Sequence, residues 1–174
     1  MRRAIAIAAL VAANAHAADC DAQMQTIFAD LETAASRIVE RQGKAMRPAL
    51  LEAAQLTPFI ARVGWISGTF RMQYSVSLCD QPFELRQGTI AHEFGHLLQF
   101  ALQSKADELR LARYGVWLRS QAEHEHAANY YGAQVLREAN VDSAPYLARL
   151  DAACAAGSNY ECRAAESWRI GLTW

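Results

Sequence analysis

Apolar residues recur at helical spacing near the start of the chain. Between residues 21 and 41 an apolar side chain returns every three or four positions, at Met24, Ile27, Phe28, Leu31, Ala34, Ala35 and Ile38. This spacing places them on one face and predicts an amphipathic helix. Gly43 follows, and a glycine just past the last turn commonly ends a helix.

The same reasoning predicts helices over most of the remaining chain. Pro48 suits the first position of a helix, so a second helix is expected from Pro48 toward Leu56. A central helix is expected from about Gly88 to Gln103. Further helices are predicted near 105–119, 122–140, 143–154 and 161–170.

One segment alternates between apolar and polar residues instead. Between residues 70 and 78, apolar side chains occupy every second position, at Phe70, Met72, Tyr74, Val76 and Leu78. A period of two predicts a strand with one buried face and one wet face. The expected fold class is therefore α+β, mainly helical, with a small sheet.

The N-terminus resembles a secretory signal. Met1-Arg2-Arg3 is basic, Ala4 to Ala15 is apolar and rich in alanine, and Ala15-His16-Ala17 fits a cleavage site. These features predict a signal peptide over 1–17 and a single mature domain over 18–174. No other stretch is long and apolar enough to span a membrane, so no stable membrane insertion is expected. The protein is predicted to be exported, either to a bacterial periplasm or outside the cell.

Charge excludes one class of partner. The chain has 17 basic and 18 acidic residues, and losing Arg2 and Arg3 with the signal would change the formal net charge from −1 to −3. A near-neutral, slightly acidic domain gives no indication of nucleic-acid binding. The oligomeric state is left open by the sequence.

Four cysteines, Cys20, Cys79, Cys154 and Cys162, all follow the predicted signal. An even number in an exported chain predicts two disulfides, and three pairings are possible. The favoured pairing joins Cys154 to Cys162 across a short loop, and therefore Cys20 to Cys79.

The central helix carries the most informative motif, His92-Glu93-Phe94-Gly95-His96, which matches H-E-x-x-H. Residues four apart share a helix face, so both imidazoles can reach one metal ion. Glu93 lies beside that face, where it can take a proton from a metal-activated water.

A catalytic zinc ion needs a third protein ligand, and the candidates lie downstream. The segment Glu123-His124-Glu125-His126-Ala127-Ala128-Asn129 contains two carboxylates and two histidines. Glu125 and Asn129 are four residues apart on one predicted helix face, which Ala128 and Gly132 share. Small residues on that face would let this helix approach the histidine helix closely.

These two segments resemble the gluzincin metallopeptidases, which pair H-E-x-x-H with a downstream E-x-x-A-[DN] on a second helix. Glu125-His126-Ala127-Ala128-Asn129 fits that form. The resemblance is greatest to minimal gluzincins of the HtpX-like and ImmA/IrrE-like kinds. It covers residues 89–103 and 123–136, and Asn129 stands where aspartate is common in gluzincins.

The resemblance implies a zincin-like fold and one Zn²⁺ per chain, held by His92, His96 and Glu125, with Glu93 as the general base. Helix phase and the resemblance favour Glu125 over Glu123 as third ligand. The implied activity is hydrolysis of peptide bonds, with a peptide or protein as substrate. The resemblance also implies that the substrate extends along the strand at 70–78.

The sequence leaves two points open. The donor for the substrate's developing oxyanion is expected among His124, His126, Tyr74, Tyr130 and Tyr131. The alternative function is a zinc-binding protein without catalysis, or a disulfide-stabilised binding protein of zincin-like shape.

Overall fold

The computed structural model describes residues 2–57, 60–102 and 121–173, with only the backbone described for 2–17, 121 and 122. The chain is mainly helical with one three-stranded mixed sheet, as the sequence predicts. The helix predicted near 105–119 lies outside the described residues. The helices are α1 Arg2–Glu40, α2 Phe83–Leu102, α3 Gln121–Glu138, α4 Ala144–Ala155 and α5 Asn159–Thr173, and the strands are β1 Ala49–Ala53, β2 Ala61–Ile66 and β3 Thr69–Tyr74.

Helix α1 confirms the first predicted helix and extends it toward the N-terminus. Its apolar stripe is buried, and Gly43 closes it with a positive φ of 69°. The Gly43 N–H donates to the Glu40 carbonyl (2.8 Å) and the Lys44 N–H to the Val39 carbonyl (3.2 Å). These two bonds satisfy carbonyls that the helix end leaves unpaired. Cleavage before Ala18 stays a prediction.

The helix predicted from Pro48 toward Leu56 is wrong, because that segment forms β1. Alanine, leucine and glutamate are good helix formers, but intrinsic helix propensities are small and tertiary pairing overrides them here. Strand β1 runs parallel to β3, and Glu52 accepts hydrogen bonds from Arg71 Nη1 and Gln73 Nε2 at 2.6 Å each. Pro48 has no N–H to pair and stands just before the strand, a position where proline is tolerated.

The alternating segment is a strand as predicted, but it ends at Tyr74. Phe70, Met72 and Tyr74 are buried, whereas a short 3-10 helix, Val76–Asp80, follows and leaves Val76 exposed. Strand β2, which the sequence did not indicate, pairs antiparallel with β3 through a two-residue turn. Both turn residues, Ser67 and Gly68, have positive φ, as tight hairpins with the right-handed strand twist require.

Helices α2 and α3 pack with their backbones nearly touching. A side chain on Gly95 would overlap the Ala128 carbonyl, and a Cβ on Gly132 would lie 2.9 Å from the Ala91 carbonyl oxygen. The prediction that small residues allow a close approach of these helices is therefore confirmed. Close packing brings the side chains of the two helices within bonding distance of each other.

Both favoured disulfides, Cys20–Cys79 and Cys154–Cys162, are present. Disulfides persist in oxidising compartments outside the cytosol, which agrees with export. In the described part of the chain, no helix has an apolar run long enough to cross a membrane.

Candidate metal centre

Helix α2 presents His92 and His96 on one face, one turn apart. Their rings lie 4.9 Å apart, centroid to centroid, and are nearly perpendicular. This is the geometry that the four-residue spacing predicts, because residues four apart lie one above the other on a helix. Both side chains are mostly buried, with 13% and 17% of their surface exposed, so they are accessible from one side only.

Helix α3 brings Glu125 against both histidines. Its Oε2 lies 3.1 Å from His92 Nε2 and 3.7 Å from His96 Nε2. One potential ligand atom from each residue falls within 4.8 Å of the other two. Glu123, the competing carboxylate, is exposed on α3 and is not part of this cluster.

Asn129 orients the first histidine. Its Oδ1 lies 3.1 Å from His92 Nδ1, so the imidazole can donate there and keep Nε2 directed at the cluster. The Asn129 amide in turn donates to the Glu125 backbone carbonyl at 2.8 Å. Such an outer hydrogen bond fixes the histidine tautomer, a common arrangement around metal-binding imidazoles.

The cluster is strongly coupled electrostatically. Burial by itself raises the pKa of Glu125, but hydrogen bonds and positive potential from His92 and His96 outweigh it and hold that pKa well below its usual range. Burial lowers the pKa of His92, while Glu125, Glu93 and Asn129 together raise it above its ordinary value. Glu125 is therefore a carboxylate at neutral pH, as a metal ligand must be.

Glu93 lies beside the cluster without joining it. Its side chain is 6% exposed, and the backbone amide of Val63 in β2 lies close enough to lower the pKa of its carboxyl group. Burial raises the pKa of Glu93, the charges of His92 and His96 lower it, and Glu125 raises it again, with a net increase. A raised carboxyl pKa suits a group that takes up and returns a proton.

Two imidazoles and a carboxylate match a divalent cation. In a tetrahedral zinc site with bonds near 2.0–2.1 Å, neighbouring ligand atoms are roughly 3.3 Å apart. The distances from Glu125 to the two histidines are 3.1 and 3.7 Å, close to that separation. The group could therefore hold a metal ion, and three protein ligands would leave one position open.

Four of the five candidates for an oxyanion donor contact other residues. Tyr74 is buried and donates to Asp21 Oδ1 at 2.7 Å, and His124 Nδ1 lies 3.1 Å from Gln99 Oε1. Tyr130 and Tyr131 pack against each other, with their ring centroids 5.1 Å apart. His126 contacts a residue that itself touches the cluster.

That residue is Tyr160, which sequence reasoning missed. Its hydroxyl donates to Glu125 Oε2 at 3.2 Å, and its ring stacks on His126 with centroids 6.1 Å apart. Burial and the Glu125 carboxylate raise the pKa of Tyr160 well above its usual range, so the hydroxyl keeps its proton at neutral pH. Tyr160 lies 35 residues beyond Glu125, and only the packing of α3 against α5 brings them together.

Comparisons of the chain with protein-family models, with curated proteins and with solved structures gave no match.

Proposed function

We propose that this protein is an exported zinc-dependent metallopeptidase of the gluzincin type, with a zincin-like arrangement of two helices and a strand edge. The observation that supports this most is the separation of roles within one motif. His92 and His96 converge on Glu125, while Glu93 lies beside them, buried and outside the ligand group. A site that only stored metal would not need that additional carboxylate.

The proposed reaction needs Lewis-acid assistance and a proton carrier. A divalent ion at the cluster would polarise a peptide carbonyl and make a water molecule more acidic. Glu93 accepts a proton as the water oxygen bonds to the carbonyl carbon, and then delivers it to the leaving nitrogen as the C–N bond breaks. One carboxylate thus serves as base and acid, and it ends the cycle unprotonated.

Strand β2 provides the proposed substrate edge. The expectation that a peptide extends along the strand at 70–78 is wrong, because β3 is the central strand and is paired on both sides. Among the described residues, β2 has a strand neighbour on one side only. The Ser75 N–H bonds to the Ile60 carbonyl, so the backbone groups of residues 61, 63 and 65 point outward.

This outward edge lies beside the proposed base, since the Val63 backbone amide is close enough to the Glu93 carboxylate to lower its pKa. A peptide added along β2 would form main-chain hydrogen bonds and would place a carbonyl close to Glu93. The proposed substrate is therefore an extended peptide segment, in agreement with the peptidase assignment.

Metal content tests the proposal directly. The mature protein, purified without chelators, is expected to contain about one zinc ion per chain by mass spectrometry. Glu125→Ala should reduce that content strongly because it removes one of three protein ligands. Glu123→Ala is the matched control, since its carboxylate lies two residues away and is exposed, and it should retain the metal.

Wild-type protein that binds no zinc after supplementation would overturn the proposal and favour a disulfide-stabilised binding protein. Zinc without hydrolysis of a broad peptide library would favour the alternative of a metal-binding protein without catalysis. If the Glu123→Ala control lost as much zinc as Glu125→Ala, the assignment of Glu125 as the third ligand would be wrong.

A further inference from the structure

The hydroxyl of Tyr160 borders the metal cluster. It bonds to Glu125 Oε2, the same oxygen that lies nearest both histidines. The residue is 44% exposed, so it stands where the cluster meets solvent. The hydroxyl therefore lies beside both the proposed metal ligands and the solvent.

The backbone around Tyr160 is held from several directions. The turn between α4 and α5 passes through Gly157, which has a φ of 100°. The Ser158 hydroxyl accepts from the Glu161 N–H at 3.3 Å, as a helix N-cap does. Tyr160 lies within the loop closed by the Cys154–Cys162 disulfide, two residues before Cys162.

The ring is supported as well as the backbone. It stacks on His126, which follows Glu125 on α3, at an interplanar angle of 29°. A side chain held by its own turn and by a facing ring keeps its hydroxyl in one place without reorganising. Fixed donors of this kind are the most effective at stabilising charge that develops during a reaction.

We propose that Tyr160 donates a hydrogen bond to the carbonyl oxygen of the bound peptide as negative charge develops there, and that the Cys154–Cys162 disulfide positions it for this role. The inference rests on the proposed peptidase function and adds a catalytic residue to it. Tyr160 forms and breaks no covalent bond. The Tyr160 hydroxyl donates to Glu125 Oε2, and a peptide carbonyl oxygen bound beside the cluster would compete for the same proton.

Two other roles for Tyr160 make different predictions. If the tyrosine only orients Glu125, its loss would weaken metal binding, by about 10- to 100-fold for an outer hydrogen-bonding group. If Tyr160 is itself a metal ligand, its loss would lower the metal content directly. In both cases the metal, and not only the chemical step, would respond.

The first test compares Tyr160→Phe with wild type, using Tyr131→Phe as a matched loss of one hydroxyl from a ring that packs against Tyr130. Tyr160→Phe is expected to keep its zinc content and zinc affinity, to change KM little, and to lower kcat by about 100- to 1,000-fold. Its affinity for a phosphinic peptide, whose oxygens imitate the tetrahedral state, should fall in parallel. Tyr131→Phe should match wild type in all five measurements.

An unchanged kcat and phosphinic-peptide affinity in Tyr160→Phe would overturn the inference while leaving the peptidase proposal intact. A fall in zinc affinity with no separate effect on the phosphinic peptide would assign Tyr160 to orienting Glu125 instead. A wild-type protein without zinc or turnover would remove the peptidase proposal and this inference with it.

The second test addresses the disulfide. Replacing Cys154 and Cys162 together by serine should lower kcat while zinc content and circular dichroism stay unchanged. Replacing Cys20 and Cys79 by serine is the control, and it should retain kcat when assayed below its melting temperature. Because the bond is proposed to act through Tyr160, adding Tyr160→Phe to the Cys154/Cys162 variant should cost no more than Tyr160→Phe alone. Independent, additive losses would contradict the positioning role.

Discussion

At the scale of single residues, position on a helix separates two chemical roles. His92 and His96 are four residues apart and face Glu125, whereas Glu93 is turned away from their line and lies against β2. The same five-residue motif therefore supplies both ligands and a proton carrier. Sequence spacing predicts this division because the helical repeat is fixed by backbone geometry.

Glu93→Gln tests the division of roles. The amide has nearly the same shape but takes up no proton, so the variant should retain its zinc and lose hydrolysis by about 100- to 10,000-fold. Zinc analysis and peptide turnover on the same preparation measure both quantities. Substantial activity in this variant would remove Glu93 from the proposed mechanism.

At the scale of elements, the approach of α2 to α3 decides whether the cluster forms. Gly95 lies between the two histidine-bearing turns and contacts the Ala128 carbonyl on α3. The alanine of the E-x-x-A segment, Ala128, thus lies where the two helices are closest. A larger residue at Gly95 or at Ala128 would push the helices apart.

Gly95→Ala should force these helices apart. Overpacking of this kind costs about 1–3 kcal/mol of unfolding free energy, and the longer distance from Glu125 to the histidines should also weaken zinc binding. Urea denaturation and zinc titration would measure the two effects. Gly64→Ala in β2 is the control, since a Cβ there meets nothing within 4 Å and should leave stability nearly unchanged. If Gly95→Ala and Gly64→Ala had similar stability and zinc affinity, α2 and α3 could move apart without loss of the fold or the cluster.

A second contact between elements gives a pH-dependent prediction. Glu138 at the end of α3 binds Arg37 and Arg41 at the end of α1, with N–O distances of 2.9 and 2.7 Å. Hydrogen bonds from Arg41 and Arg37 lower the pKa of Glu138 from its ordinary value of 4.5 to about 2. A lowered carboxyl pKa stabilises the fold above the unfolded-state pKa, and this stabilisation disappears as the pH falls through the folded-state pKa.

Glu138→Gln should therefore lower the melting temperature at pH 7, by roughly 2–4 °C for an interaction near 1 kcal/mol in a domain of this size. The difference from wild type should shrink between about pH 4.5 and pH 2, and high salt should reduce it at neutral pH. Melting curves of both proteins across this pH range would show whether the difference in melting temperature shrinks on acidification. A difference that grows on acidification would contradict the assignment.

At the scale of the whole molecule, two disulfides brace different parts of the chain. Cys20–Cys79 joins residues 59 positions apart and ties α1 to the 3-10 helix that precedes α2. Cys154–Cys162 spans eight positions and fixes the turn that carries Tyr160. The first constrains the unfolded chain far more, because the entropy of closing a loop grows with its length.

Removal of each disulfide should show this difference. The chain-entropy relation gives a loss of about 4 kcal/mol for the Cys20–Cys79 bond and about 2.5 kcal/mol for the Cys154–Cys162 bond. Chemical denaturation of the two double-serine variants would measure the order. A larger loss for Cys154–Cys162 would show that packing around the α4–α5 turn outweighs loop length.

Several features could be predicted from the sequence because they depend only on local geometry and side-chain size. These features are the buried face of α1 from Met24 to Ile38, the glycine that ends α1, the two histidines on one face of α2 and the small residues that let α3 pack closely. Each of them follows from the fixed helical repeat or from side-chain size. The remaining features depend on how the elements pack together. Residues 49–53 form a strand because they pair with β3, and among the described residues β2, unlike β3, has a strand neighbour on one side only. Tyr160 reached Glu125 only through the packing of α5 on α3, since contact between distant segments depends on how elements assemble and not on the pattern within either one.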